Sequence, residues 1–159
     1  MMRADDSGFS LVEVLVAMSI SMMVVMAGTA ALQVSAKLVQ QGGLKTKALA
    51  LAQGRLEAKR SVRWEALLQD DLDHDGRADV LMADDGQGAD VAAGDGVYTA
   101  RWEHGGVTLK WTVATDSIGP LATAGVVTIR AAASYPSFGG AKTVEMGTVR
   151  ANPTFTGVR

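Results

Sequence analysis

The sequence predicts an α+β fold in which a long N-terminal helix, transmembrane in its first half, packs on a small antiparallel β-sheet. Three observations carry this reading. Residues 9–32 are 24 consecutive positions whose only charge is Glu13, which makes a helix of about 36 Å, enough to cross a bilayer with some tilt. After that run, Leu44, Ala48, Leu51, Ala52, Ala58 and Val62 recur at helical spacing, with Thr46, Gln53, Glu57 and Arg60 on the other side. From Ala78 onward the apolar period falls to two, the period of a half-buried strand.

The first element is a short polar leader, residues 1–8, with Arg3 beside Asp5 and Asp6. A secretory signal has a basic start and an apolar stretch of about 7 to 15 residues, and neither description fits here. Glu13 then needs an explanation, because an ionisable group near the bilayer interior costs about 2.5 to 3.5 kcal/mol on insertion scales and normally marks a function and a partner. A cut between Gly8 and Phe9 would supply that partner. The new α-amino group of Phe9 would lie at the same membrane edge, and in a packed array one subunit's Glu13 would neutralise its neighbour's amine.

Gly8 followed by Phe9-Ser10-Leu11-Val12-Glu13 and a membrane-length apolar run resembles the cleavage and methylation signature of type IV prepilins and type II secretion pseudopilins. The resemblance implies a prepilin peptidase that cuts after Gly8 and methylates Phe9, and a Glu13 that guides assembly with other pilin or pseudopilin subunits. It also implies an inner-membrane protein with a single pass and a periplasmic C-terminal domain, later built into a pilus or pseudopilus. Orientation rests on this resemblance alone, since Arg3 precedes the span while Lys37, Lys45 and Lys47 follow it, which does not favour a cytoplasmic N-terminus by charge.

Residues 33–69 read as an amphipathic helix that continues the span, so that Phe9 to about Val62 forms one helix. Gly42-Gly43 is its weak point, because each glycine in a helix costs about 1 kcal/mol relative to alanine, and the helix is expected to bend or open there. Ala48-Leu49-Ala50-Leu51-Ala52-Gln53-Gly54-Arg55-Leu56-Glu57-Ala58-Lys59-Arg60 further resembles the segment after the anchor in minor subunits of the PilV and pseudopilin I kinds. The chain has no cysteine, whereas major pilins commonly close a C-terminal loop with a disulfide. This turns the expectation toward a minor subunit.

Residues 70–96 form an acidic loop with nine aspartates, at 70, 71, 73, 75, 79, 84, 85, 90 and 95, against the single Arg77, for a local charge of -8. Asp71-Leu72-Asp73-His74-Asp75-Gly76-Arg77-Ala78-Asp79 matches the first nine places of a calcium loop: carboxylates of Asp71, Asp73, Asp75 and Asp79, the backbone carbonyl of Arg77, and Gly76 for the sharp turn. Place twelve, a bidentate glutamate in the EF-hand, is Met82. Asp84, Asp85 or Asp95 are the expected substitutes there, and a structural calcium ion is the expected cofactor. The bland alternative is a solvated set of Asp-Gly turns.

Residues 97–159 carry the sheet, with strands expected at 97–103, 107–115, 126–134 and 142–150 and a hairpin turn at His104-Gly105-Gly106, and a further strand is expected at 79–82 ahead of them. Residues 33–159 together form one periplasmic domain. Trp64, Trp102 and Trp111 are expected to pack in the core or on the sheet.

Composition narrows the function. Removing the leader takes one Arg and two Asp from 15 basic and 17 acidic residues, leaving 14 against 15, so no nucleic-acid surface is indicated. Two histidines and no cysteine leave nucleophilic catalysis without its parts, since a nucleophile needs a base within reach. The expected role is therefore structural, not enzymatic: a minor pilin or pseudopilin. The competing reading is an exported periplasmic or surface calcium-binding module whose N-terminus is only a signal, with Ala27-Gly28-Thr29-Ala30 as the cleavage region.

Overall fold

The computed structural model describes residues 10–73 and 75–154. The leader, Gly8, Phe9 and His74 lie outside the described residues. Helix α1 runs Leu11–Ser61 without interruption, and strands β1 (Gln69–Asp70), β2 (Val80–Leu81), β3 (Val97–His104), β4 (Val107–Thr115), β5 (Val126–Ser137) and β6 (Gly140–Ala151) follow. The chain divides into two compact units, residues 1–40 and 41–159.

In the first unit, the described part of α1 is exposed along its whole length, and its surface is mostly leucine, valine, methionine and alanine. It is the one helix among the described residues that is long and apolar enough to cross a membrane.

The second unit is a helix-on-sheet domain. β3, β4, β5 and β6 pair antiparallel in that order, and β1 and β2 form a separate two-stranded ribbon. The ribbon reaches the main sheet through one bridge, Ala83 to Thr99. The period-two pattern places Val107, Leu109, Trp111 and Val113 of β4 on one face with Val127, Ile129, Ala131, Ala133 and Tyr135 of β5, and all are buried. Trp111 is the largest of the fully buried side chains. Its direct neighbours across the ladder are Ala100 on β3 and Ala131 on β5, so two small residues make room for one indole.

The helix meets this face through Ala48, Ala52 and Leu56, all in the same core cluster as Trp111. Helical spacing continues this stripe to Lys59, which is 1% exposed. Lys59 and Arg55 both meet Asp70, which the turn after the helix carries back to them. Arg55 Nη1 lies 2.7 Å from Asp70 Oδ1 and Lys59 Nζ 2.8 Å from Oδ2. Trp111 Nε1 donates to the same Oδ2 at 2.8 Å, and the Arg55 guanidinium sits 4.8 Å over the Trp111 ring. Lys59 also donates to the carbonyls of Leu67 and Gln69, so its three ammonium protons have three acceptors.

The end of α1 is closed by another distant residue. Arg150 of β6 donates to the Lys59 carbonyl at 2.7 Å and lies over Trp64, while Trp64 Nε1 donates to the Leu121 carbonyl. One of the last carbonyls of the helix, left without an intrahelical partner, is thus met by a guanidinium.

The predicted strands match the observed ones to within three residues; the helix ends at Ser61, one residue before the expected Val62, and the 33–69 helical segment is corrected at its end, where residues 62–69 turn through Trp64–Ala66 into β1 and bring Asp70 back to Arg55 and Lys59. β1 and the short 3-10 turn Trp64–Ala66 have no counterpart in the sequence reading. Asp70 belongs to neither loop nor solvent: it is a buried anion.

Two outcomes test this arrangement in the full chain in detergent, followed by tryptophan fluorescence in denaturant. Asp70→Ala strands two buried cations and is expected to cost about 3 to 5 kcal/mol. Burial pushes the Lys59 ammonium below the ordinary lysine range, with Asp70 opposing the shift and Arg55 adding to it. As pH climbs toward that range, the unfolded chain keeps the proton that the folded chain has shed, so stability relative to Lys59→Met is expected to rise. A difference that is flat or falls with pH contradicts this.

Candidate functional site

Two places carry the chemistry singled out by the sequence. The first is the start of α1. Glu13 lies in the first helical turn, exposed, with its backbone N–H bonded to the Ser10 carbonyl at 3.0 Å. Val14, Ala17, Met18 and Ser21 lie beside it on the same face of the helix, so the carboxylate projects from an otherwise apolar and small-residue surface. A carboxylate in the first turn also suits the positive end of the helix dipole.

The second place is the acidic segment, which the structure divides in two. Residues 71–79 form the loop between β1 and β2, and residues 84–96 form a second loop entering β3. In the first loop, carboxylate oxygens of Asp71, Asp73 and Asp79 lie within 4.8 Å of one another. Asp75 stands apart from that trio: its Oδ1 accepts the Arg77 N–H at 2.8 Å. Its own N–H is held by Asp71 Oδ1 and Asp73 Oδ1. Asp71 Oδ2 accepts Gly76 N–H, and Asp79 Oδ2 accepts Leu72 N–H at 2.6 Å. Gly76 takes φ 87°, the left-handed turn that the sequence assigned to it.

The loop is anchored at its base, where Asp79 N–H donates to the carbonyl of Asp70 at 2.8 Å. Met82 is buried in the core with its N–H on the Leu68 carbonyl, so the place an EF-hand gives to glutamate is spent on packing.

In the second loop, Asp84, Asp90 and Asp95 bring oxygens equally close together. Spacing alone did not reveal this trio, since its members are six and five residues apart with no regular pattern. Asp84 accepts three N–H groups, from Gly94, Asp95 and Gly96, and Asp90 accepts from Gly86 and Val91. These bonds, that from Gly86 foremost, hold the Asp90 carboxyl below the usual carboxylate range. Asp85 turns away to accept the Gln87 N–H. Lys110 of β4 donates to the Ala89 carbonyl, tying the loop to the sheet.

Of the two histidines, His74 lies outside the described residues, and His104 is exposed and stacks on Trp102 at 4.8 Å. Trp64 and Trp111 are core residues, and Trp102 packs at the core's edge.

Comparison with known proteins bears on the first of the two places. The family model described as the prokaryotic N-terminal methylation motif matches residues 3–29, which include Gly8, Phe9 and Glu13. This match supports a type IV pilin-like subunit that is processed at its N-terminus, and with the long apolar helix it points to membrane anchoring. Neither the curated proteins nor the solved structures include a match to this chain.

The loop geometry yields a graded expectation. Asp84→Ala releases three backbone donors and is expected to cost about 1 to 2 kcal/mol and to speed amide exchange at Gly94–Gly96, whereas Asp85→Ala, which releases one, is expected to cost less than half as much. Equal effects would show that the loop is not organised around Asp84.

Proposed function

We propose that this chain is a minor pilin or pseudopilin: a structural filament subunit cut by prepilin peptidase after Gly8, methylated at Phe9 and built into a type IV pilus or type II secretion pseudopilus. The observation that carries the proposal is the methylation motif over residues 3–29 continuing into an exposed apolar helix whose one charge before Lys37 is Glu13. Residues 9–32 are assigned to the membrane, and residues 33–159 to a domain on its outer side. Glu13 takes the N-terminal amine of a neighbouring subunit as its partner, which offsets the cost of holding a carboxylate in an apolar setting. The absence of cysteine and the Arg55-Leu56-Glu57 segment favour a minor subunit over a major one.

Intact mass of the mature protein is the test. A chain that begins at an N-methylated Phe9 is the expected result, and one that begins near Ala31 would leave an ordinary export signal in its place. Glu13→Ala is expected to leave cleavage intact and to lower incorporation into filaments at least several-fold, whereas Gly8→Ala blocks cleavage itself.

A structural calcium ion in the 71–79 loop is a second part of the proposal. It is favoured by the convergence of Asp71, Asp73 and Asp79, hard oxygen donors that suit a cation with no need of a regular cage. Binding to the folded state alone would stabilise it by about 2.7 kcal/mol at 100 times the dissociation constant. The full chain in detergent is expected to melt higher in millimolar calcium than in chelator. Asp73→Ala should abolish most of that gain and Asp116→Ala should not; identical melting with and without calcium would remove the ion from the proposal and leave the subunit assignment standing.

A further inference from the structure

The four-stranded sheet has two ends of opposite charge. Pairing of Thr108 with Ser134 and of Ser137 with Gly140 places the β3–β4 and β5–β6 hairpin turns at the same end, where Gly106 and Thr108 lie beside Pro136, Ser137 and Gly140. The first packed turn of α1 is there too: Lys47 Nζ donates to the Gly105 carbonyl at 3.3 Å, and Leu44 lies next to Gly106. The segments that make this end, residues 41–47, 104–108 and 134–143, carry Lys45, Lys47 and Lys142 and no acidic residue. Glu103, just inside it, is paired with Arg101. The other end receives the 84–96 and 116–125 loops, which carry Asp84, Asp85, Asp90, Asp95 and Asp116 and no basic residue.

The basic end also presents an aromatic side chain. Phe138 stands at the tip of the β5–β6 turn, 60% exposed, and Gly139 and Gly140 close that turn at φ 86° and 126°, values open to glycine and few other residues. A large apolar side chain on a tight turn, with lysines at the same end, suits the headgroup layer of an anionic bilayer, where apolar burial and charge attraction add.

The chain itself leads this end to a bilayer. It enters the second unit at Gln41, and the twelve residues from Leu32, the end of the assigned span, to Leu44 amount to about 18 Å of helix. The headgroup layer covers about 5 to 8 Å of that length. The remainder is close to the Debye length of about 8 to 10 Å, so the lysines come within range of the surface charge.

We propose that the hairpin-tip end of the sheet, through Phe138, Lys45, Lys47 and Lys142, is a contact for the surface of an anionic bilayer. The proposal rests on the assignment of residues 9–32 to the membrane. An attracted end and a repelled end together give the domain one preferred side toward the lipid, with the aspartate loops held away from it.

The chain has no cysteine, so a single introduced one reports position. Ala141→Cys at the basic end and Ser117→Cys at the acidic end, both exposed sites, are labelled with a nitroxide in the full chain, at one chain per bilayer disc, with about one-third phosphatidylglycerol in phosphatidylcholine. Tryptophan fluorescence equal to that of the unaltered chain confirms that each labelled chain is folded. The label at 141 is expected to collide several-fold less often with an aqueous nickel chelate than the label at 117. That shielding is expected to vanish in discs of phosphatidylcholine alone and in molar salt, two arms that need no further substitution. Phe138→Ser and the Lys45→Gln, Lys142→Gln double variant are each expected to reduce it.

Equal collision rates at the two sites overturn the proposal, as does shielding at 141 that persists in uncharged discs or survives both variants. Shielding that arises only when a disc holds two or more chains assigns this end to a second copy and overturns the lipid contact. A chain that does not stay with the discs overturns the membrane assignment itself, so the two failures are distinguishable.

Discussion

The domain depends on one buried carboxylate. Asp70 follows a helix, a 3-10 turn and two core leucine positions, and its side chain ends between Arg55 and Lys59 with the Trp111 indole donating to the same oxygen. A lone carboxylate there would carry a desolvation cost of several kcal/mol, and two lone cations would cost more still. Together they are tolerable only in one geometry. The network therefore fixes where the turn after α1 must return, and with it the start of β1 and the base of the 71–79 loop, whose Asp79 N–H bonds to the Asp70 carbonyl. Hydrophobic burial by Ala48, Ala52 and Leu56 supplies attraction with little direction. The ion network supplies direction.

The sheet shows the same division between bulk and placement. Trp111 fits because Ala100 and Ala131 stand beside it in register, and a slip of one residue would turn the indole to the outer face. Both sheet edges carry some protection against stray pairing. β3 is bridged at Thr99 by Ala83, while β6 carries Lys142, Glu145 and Arg150 along its length, charges of the kind that discourage a further strand from adding. Glu145 is itself matched by Arg130 on β5 at 3.5 Å.

Much of this was legible in the sequence because it follows from period. Four long strands and the single long helix were written in the spacing of apolar residues, and the hairpin in the turn chemistry of Gly105-Gly106. Lys59 and Asp70 were not. A lysine in an amphipathic helix reads as solvent-facing, although counting from Ala48 through Ala52 and Leu56 places Lys59 on the buried stripe. Asp70 read as the first of nine crowded aspartates, yet two cations more than match it. The segment from Asp71 to Asp95 then holds eight aspartates against Arg77, a charge of -7 in place of -8. β1 escaped notice because two residues are too few to show a period. The trio of Asp84, Asp90 and Asp95 depends on a loop fold that no residue spacing encodes.

The aspartate loops combine two roles that look opposed and are not. Each carboxylate offers about four lone-pair sites, and those that accept backbone N–H groups use only part of that capacity. Asp84 spends three bonds on holding Gly94, Asp95 and Gly96, and Asp71 spends bonds on Asp75 and Gly76. These contacts fix the direction in which the remaining lone pairs point. In the 71–79 loop, carboxylate oxygens of Asp71, Asp73 and Asp79 lie within 4.8 Å of one another. Such convergence raises repulsion when no cation is bound, and the backbone N–H groups offset part of it by facing the same oxygens with their positive ends. A turn that organises its backbone through aspartates thus lowers the cost of its own crowded charge. The acidic pattern accordingly carries structural information first, and a bound ion would add stability to a loop whose shape the chain has already set.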